Sequence, residues 1–65
     1  MKYRINRELV RQKIADEKLT REEAAAQIGI SVAMLAHITK SGECDGIHLG
    51  KLAKFVGVPA YRLVT

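Results

Sequence analysis

Few of the residues that crosslink, interrupt or bulk out small proteins occur in this chain. It contains one cysteine, one proline and no tryptophan, and aromatic residues make up only 5% of it. A single cysteine excludes a disulfide within the chain. Because aromatic side chains are so scarce, the core is predicted to consist of Ile, Leu, Val, Ala and Met, a composition that suits short, closely packed helices.

Long apolar runs are missing as well. No stretch approaches the roughly 18 apolar residues that a membrane-spanning helix needs. The first residues, Met1–Ile5, carry positive charge but no hydrophobic segment follows them, so they do not look like a secretory signal. Together with the lone thiol, these absences predict a cytoplasmic protein that does not bind a membrane.

Catalytic and metal-binding patterns are equally sparse. Cys44, His37 and His48 fall short of the four ligands of a structural zinc site. Glu22 and Glu23 are adjacent on one predicted helix and point in different directions, so they do not form a catalytic carboxylate pair. A chain of 65 residues also has little material for a cleft that excludes water. The sequence therefore predicts no enzyme, no cofactor, no metal and no small-molecule substrate.

Positive charge is in excess. Eleven Lys and Arg residues face seven Asp and Glu residues, for a formal net charge of +4. The basic residues concentrate near both ends of the chain, whereas most acidic residues lie in the middle. Such an excess speeds association with polyanions such as nucleic acids. An ordinary solvated surface has a similar composition, so charge alone leaves both interpretations open.

Apolar periodicity and helix-stop residues predict one continuous domain over residues 1–65, built from five helices in an all-α fold. The first helix is predicted from about Arg7 to Glu17. Residues 1–5 are predicted to be a flexible or extended segment. Strand signals are weak throughout, so no sheet is predicted.

The second half of the chain continues this helical pattern. Residues 41–46 are predicted to be a polar loop, after which His48 is predicted as the N-cap of a fourth helix. The apolar stripe of that helix has the spacing i, i+3, i+4, i+7 and consists of Leu49, Leu52, Ala53 and Val56. Gly57 is predicted to end the helix, and Pro59 to begin a short last turn through Leu63.

The strongest local signals surround the junction between the second and third helices. Thr20 and Glu23 have the spacing of a capping box at the start of the second helix. Gly29 suits the left-handed residue that ends it, and Ser31 suits the N-cap of the third helix, which is predicted to reach about Lys40. The small Ala25 allows the two helices to cross closely. The outer side of the third helix is then free to enter a DNA major groove, which admits one helix.

Two segments resemble a known family. Residues 19–31, LTREEAAAQIGIS, look like the core of phage repressor/Cro-type helix-turn-helix regulators, and residues 47–59, IHLGKLAKFVGVP, are similar to the fourth helix and final turn of the same family. The resemblance covers about residues 9–64. It implies a compact five-helix fold, double-stranded operator DNA as partner, a homodimer, association with the nucleoid and control of transcription. Because no ligand-sensing or cleavage domain is evident, the implied protein is a Cro-like repressor.

The resemblance also implies a set of DNA-binding residues. The start of the second helix would hold a phosphate, and the exposed face of the third would lie against base edges. The residues assigned in this way are Thr20, Arg21, Ser31, Val32, Ala33, Ala36, His37 and Lys40. Arg21 stands where the family usually has glutamine and retains the ability to bind phosphate. Lys18 replaces a glycine that is common before the Leu-Thr pair.

The third helix departs from the family in its chemistry. Four of its residues are apolar where polar base-reading side chains are expected: Val32, Ala33, Met34 and Ala36. Specificity is therefore expected to rest on thymine methyl groups, on His37 and on DNA shape. The same apolar face supports an alternative, a protein-interaction module that binds a partner helix, with DNA binding secondary or absent.

Two aromatic residues near the C-terminus predict self-association. Phe55 lies off the apolar stripe of the fourth helix, and Tyr61 lies in the final turn. Local packing is the ordinary role of such residues, but exposed aromatic side chains are also enriched at protein interfaces. We predict a weak homodimer that uses this C-terminal surface.

Overall fold

The computed structural model describes all 65 residues and is mostly helical. The helices are α1 (Arg7–Asp16), α2 (Arg21–Ile28), α3 (Val32–Ser41), α4 (Gly46–Val56) and α5 (Ala60–Leu63), and the strands are β1 (Lys2–Arg4) and β2 (Glu43–Asp45). The prediction of five helices is confirmed, whereas the strictly all-α fold is wrong because a small sheet is present. None of the helices has the length and apolar content needed to cross a bilayer.

The sheet joins the N-terminus to the connection between α3 and α4. Its antiparallel register sets three residue pairs opposite each other: Lys2 with Asp45, Tyr3 with Cys44, and Arg4 with Glu43. The two outer pairs have opposite charges, which favours this register, and the central pair shares the other face. The predicted polar loop over residues 41–46 is therefore wrong, since it contains the end of α3, a strand with a buried cysteine and the start of α4.

The predicted signals at the junction of α2 and α3 are confirmed. The Thr20 amide donates to Glu23 Oε1 at 2.8 Å, and the Glu23 amide donates to Thr20 Oγ1 at 3.1 Å, which completes the capping box. Ser31 is the N-cap of α3, with its Oγ accepting from the Met34 amide at 3.0 Å. Both caps bridge three residues, so the sequence alone is sufficient to predict them.

The predicted N-cap of α4 is wrong. Asp45 is the N-cap, and its Oδ1 accepts from the His48 amide at 2.9 Å and lies 2.6 Å from His48 Nδ1. The hydrogen bond from the His48 amide lowers the pKa of Asp45, and the His48 side chain lowers it further. Partial burial acts in the opposite direction but is outweighed, so the pKa lies below its ordinary value. The helix begins three residues earlier than its apolar stripe because β2 delivers Asp45 to the cap position in an extended conformation.

The core is aliphatic, as the composition predicts. The largest fully buried side chains come from α1, α3, α4 and α5: Val10, Leu35, Ile38, Leu52 and Leu63. From α2, Ala24, Ala25 and Ile28 are buried, whereas Ile30, in the turn after this helix, is half-buried. The helix α4 packs against α1, α2 and α5, so it is the element around which the core is built.

Two glycines permit a matched test of backbone conformation. Gly29 has a φ of +90°, and an L-residue in that region costs about 1–2 kcal/mol. Gly50 lies inside α4 with no atom within 4 Å of the position that a Cβ would occupy. We expect Gly29→Ala to lower the free energy of unfolding by about 1–2 kcal/mol and Gly50→Ala to raise it by about 0.5–1 kcal/mol. Urea denaturation of both variants measures the effects, and changes of equal sign would contradict this account.

Candidate nucleic-acid interface

The turn between α2 and α3 is held by three hydrogen bonds. Gly29 and Ile30 both donate their amides to the Ala25 carbonyl, at 2.9 and 3.0 Å, which closes the end of α2. From α4, Lys51 Nζ donates to the Gly29 carbonyl at 3.1 Å. The position of α3 relative to α2 therefore depends on a hydrogen bond that spans 22 residues, in addition to the local bonds.

The C-terminal end of α3 is held by an arginine of α1. Arg7 Nη1 donates to the Thr39 carbonyl at 3.1 Å and to the Lys40 carbonyl at 2.7 Å. Carbonyls in the last turn of a helix lack partners in the helix, and the partial negative charge there attracts a cation. Arg7 thus satisfies two of these groups and ties α3 to the first turn of α1. Sequence reasoning missed this role because the residues are more than 30 positions apart.

The outer side of α3 is open to solvent along most of its length. Of the predicted base-contacting residues, those that are exposed are Ser31, Val32, Ala33, His37 and Lys40. Val32 is 37% exposed, whereas Ala36 and Met34 are half-buried. Of the four apolar residues predicted on the outer face of α3, only Val32 and Ala33 are therefore exposed.

A depression beside this face brings together two arginines. It has a volume of about 320 Å³ and is lined by Arg11, Ile14, Arg21, Leu35 and Thr39. Arg21 at the start of α2 was expected at the site, but Arg11 was not, because only the packing of α1 places it there. Arg11 pairs with Glu8 at 3.0 Å, and both side chains are more than half exposed, so this ion pair stabilises little. A guanidinium has five N–H donors, which leaves others for a second anion.

The charges around the start of α2 are mixed. The capping box satisfies the amides of Thr20 and Glu23, and helix geometry leaves those of Arg21 and Glu22 without partners in the helix. However, Glu22 and Glu23 place two carboxylates in the same turn. The Thr20 amide, followed by its hydroxyl, lowers the pKa of Glu23 and so favours its charged form. The positive charge beside this turn therefore comes from the guanidinium groups of Arg11 and Arg21.

Several of the basic residues near the chain ends have partners within the protein. Arg7 binds the end of α3, Lys51 binds Gly29, and Lys13 pairs with Glu17. Lys2 and Arg4 stand opposite acidic residues in the sheet. By contrast, neither Arg21 nor Lys40 takes part in the ion pairs of the structure. The cations without acidic partners thus include two that border the exposed side of α3.

His37 and Lys40 share a second, shallow depression with Ser41. Successive residues of an α-helix are about 100° apart, so Thr39, which borders Arg21, and His37 lie on nearly opposite sides of the exposed stripe.

His37 also borders a cavity of about 110 Å³ together with Cys44 and His48. Burial, followed by the charge of Asp45, raises the pKa of the Cys44 thiol. No group of three or more His, Cys, Asp or Glu side chains is placed to share a metal ion.

Comparisons of the chain with protein-family models, with curated proteins and with solved structures find no match. The candidate site is the outer side of α3 together with the residues beside it. It presents an exposed helix with a pair of arginines near one side and a histidine and a lysine near the other. Thr20 and Ser31 take part in the site as helix caps: the hydroxyl of Thr20 caps α2, and that of Ser31 caps the exposed helix α3.

Proposed function

We propose that this protein is a sequence-selective double-stranded DNA-binding regulator of transcription, a Cro-like repressor of the helix-turn-helix type, with α3 as the helix that enters the major groove. The observation that carries the proposal is the exposed outer side of α3, bordered by Arg21 and Arg11 on one side and by His37 on the other. A major groove about 12 Å wide admits one α-helix. Arg11, Arg21 and Lys40 would supply the positive charge for phosphates beside that groove.

Phosphate binding is assigned to the start of α2. Arg21 and Arg11 line the same depression from two different helices, so both guanidinium groups are assigned to a phosphate at this place, where charge-assisted hydrogen bonds would hold it. Lys40 is an additional phosphate contact near the end of α3. These contacts supply affinity and orientation, and they carry no sequence information directly.

Base reading is assigned to the exposed residues of α3. His37 is an exposed polar side chain of this face and is assigned as the hydrogen-bonding partner of a purine edge. We expect His37→Ala to change the preference at one base position, whereas Arg21→Ala should weaken binding to all duplexes alike. Selection of bound sequences with each variant measures both effects, and an unchanged preference profile for His37→Ala would remove this residue from the readers.

The size of the protein limits one copy to one groove face of an operator. Its longest dimension is 28 Å, whereas successive major-groove faces of B-DNA are about 34–36 Å apart. One copy therefore covers one groove. For the homodimer, Tyr61 is 78% exposed, while Phe55 is half-buried and packs against the core. Sedimentation of the wild type and of a Phe55→Asp/Tyr61→Asp variant tests this surface.

A protein-interaction module is the alternative function. It would use the apolar residues of α3 to bind a partner helix. Because Met34 and Ala36 are half-buried, Val32 and Ala33 are the exposed part of that face, and two small side chains offer little apolar area. The burial pattern therefore favours DNA as the partner.

Selection from random duplexes at low ionic strength tests the function, followed by titration of the selected duplex at increasing salt. We expect a plot of the logarithm of the association constant against the logarithm of salt concentration to be linear, with a slope of about −0.9 for each phosphate contacted. A hydrophobic protein contact would respond little to salt. Failure to retain any duplex at low ionic strength would exclude the proposed function.

A further inference from the structure

The first turn of α3 offers almost no hydrogen-bonding side chain to a ligand. Its two exposed residues, Val32 and Ala33, are apolar, and Met34 packs against the core. Ser31 has a hydroxyl, but its oxygen already accepts the Met34 amide at 3.0 Å as the helix cap. The Ser31 O–H donor remains at the start of the helix, and His37, the next polar side chain, follows more than one turn later. This part of the surface therefore makes van der Waals contacts and few hydrogen bonds.

Such a surface distinguishes bases by their methyl groups. In the major groove a thymine presents a C5-methyl group and the O4 acceptor, whereas a cytosine presents the N4 amino donor and no methyl. A cytosine that is methylated at C5 presents the same methyl group as thymine at the same ring position. A side chain without donors or acceptors packs against that methyl group but has no means of telling O4 from the N4 amino group.

We propose that Val32 and Ala33 recognise the pyrimidine C5-methyl group itself, so that 5-methylcytosine replaces thymine at the positions they contact and cytosine methylation regulates binding. This inference rests on the proposed DNA-binding function and adds to it a chemical identity for the reader and a means of control. Val32 is the larger contributor because it presents two methyl groups where Ala33 presents one.

Duplexes that differ by one methyl group test the proposal. In the duplex selected above, each thymine is replaced in turn by uracil, by cytosine paired with guanine, and by 5-methylcytosine paired with guanine. Fluorescence anisotropy gives the affinity of each duplex. At the positions next to the first turn of α3, we expect uracil to weaken binding roughly fourfold, as the loss of one buried methyl group implies. We expect 5-methylcytosine to bind more tightly than cytosine by a similar factor.

Two variants assign the effect to α3. For each substituted base, the affinity of the thymine duplex is divided by that of the uracil duplex. Val32→Ala should lower this ratio toward one at a single base position. Lys40→Gln, the control, should weaken binding to both duplexes equally and leave the ratio unchanged. Far-ultraviolet circular dichroism confirms that both variants are folded.

The outcomes separate this inference from the function on which it rests. Equal affinity for thymine and uracil at every position, or no gain of 5-methylcytosine over cytosine, would overturn methyl recognition while leaving DNA binding intact. A ratio that Val32→Ala leaves unchanged would also overturn it. A protein that binds no duplex at low ionic strength would overturn both.

Discussion

Replacement of Leu52 by alanine is expected to lower the free energy of unfolding by about 2–5 kcal/mol, the cost of a large cavity in a packed core. Leu52 is 0% exposed and lies in α4, which packs against α1, α2 and α5. A domain of 65 residues has a total stability of only about 3–10 kcal/mol at the usual value per residue. The variant should therefore be marginally folded or unfolded at room temperature, as thermal and urea denaturation will measure.

Ile47→Ala is the matched control for this variant. Ile47 lies in the same helix, is a branched aliphatic residue of the same size as leucine, and is 72% exposed. Its replacement leaves no buried cavity, so we expect a change within about 0.5 kcal/mol. Comparable losses in the two variants would show that the burial pattern of α4 is wrong.

The Arg11→Ala/Arg21→Ala variant is expected to bind DNA roughly 60-fold more weakly at 0.1 M salt, because two phosphate contacts at a slope of about −0.9 each are lost. For the same reason, the slope of log K against the logarithm of salt concentration should become less negative by about 1.8. Both arginines line one depression beside α3, and neither is in the core. Titration of the selected duplex over a range of salt concentrations gives both quantities.

A variant with the same loss of charge separates local contacts from net charge. Lys54→Ala/Arg62→Ala also removes two positive charges from exposed residues, and both lie outside the arginine depression. We expect this control to weaken binding by a much smaller factor and to leave the salt slope nearly unchanged. An equal loss in the two double variants would mean that the depression is not a phosphate site.

Much of the site could be predicted from the sequence because its local devices involve residues that are close along the chain. The capping box of Thr20 and Glu23, the left-handed Gly29 and the Ser31 cap all span four residues or fewer. Their geometry depends on the backbone conformation of one helix end, so it needs no knowledge of the remaining fold. The exposure of Val32, Ala33 and His37 follows from the same helical period.

Other features escaped sequence reasoning for an equally physical reason. A strand of three residues is too short to show an alternating pattern, so β2 looked like a polar loop, and the helix cap formed by its last residue, Asp45, was missed. The contacts of Arg7 with the end of α3 and of Lys51 with Gly29 join residues far apart in the sequence. Arg11 shows no distinguishing local pattern and acquires its place beside Arg21 through the packing of α1.

The amino-acid sequence alone determined where α2 ends and α3 begins, since hydrogen bonds and backbone conformations within a few residues control both. The tertiary structure decided which cations remain available to a partner and which are consumed by the fold. It did so because the charge available at a surface depends on which side chains the packed chain brings within hydrogen-bonding distance, and those distances do not exist until the helices and the sheet have assembled.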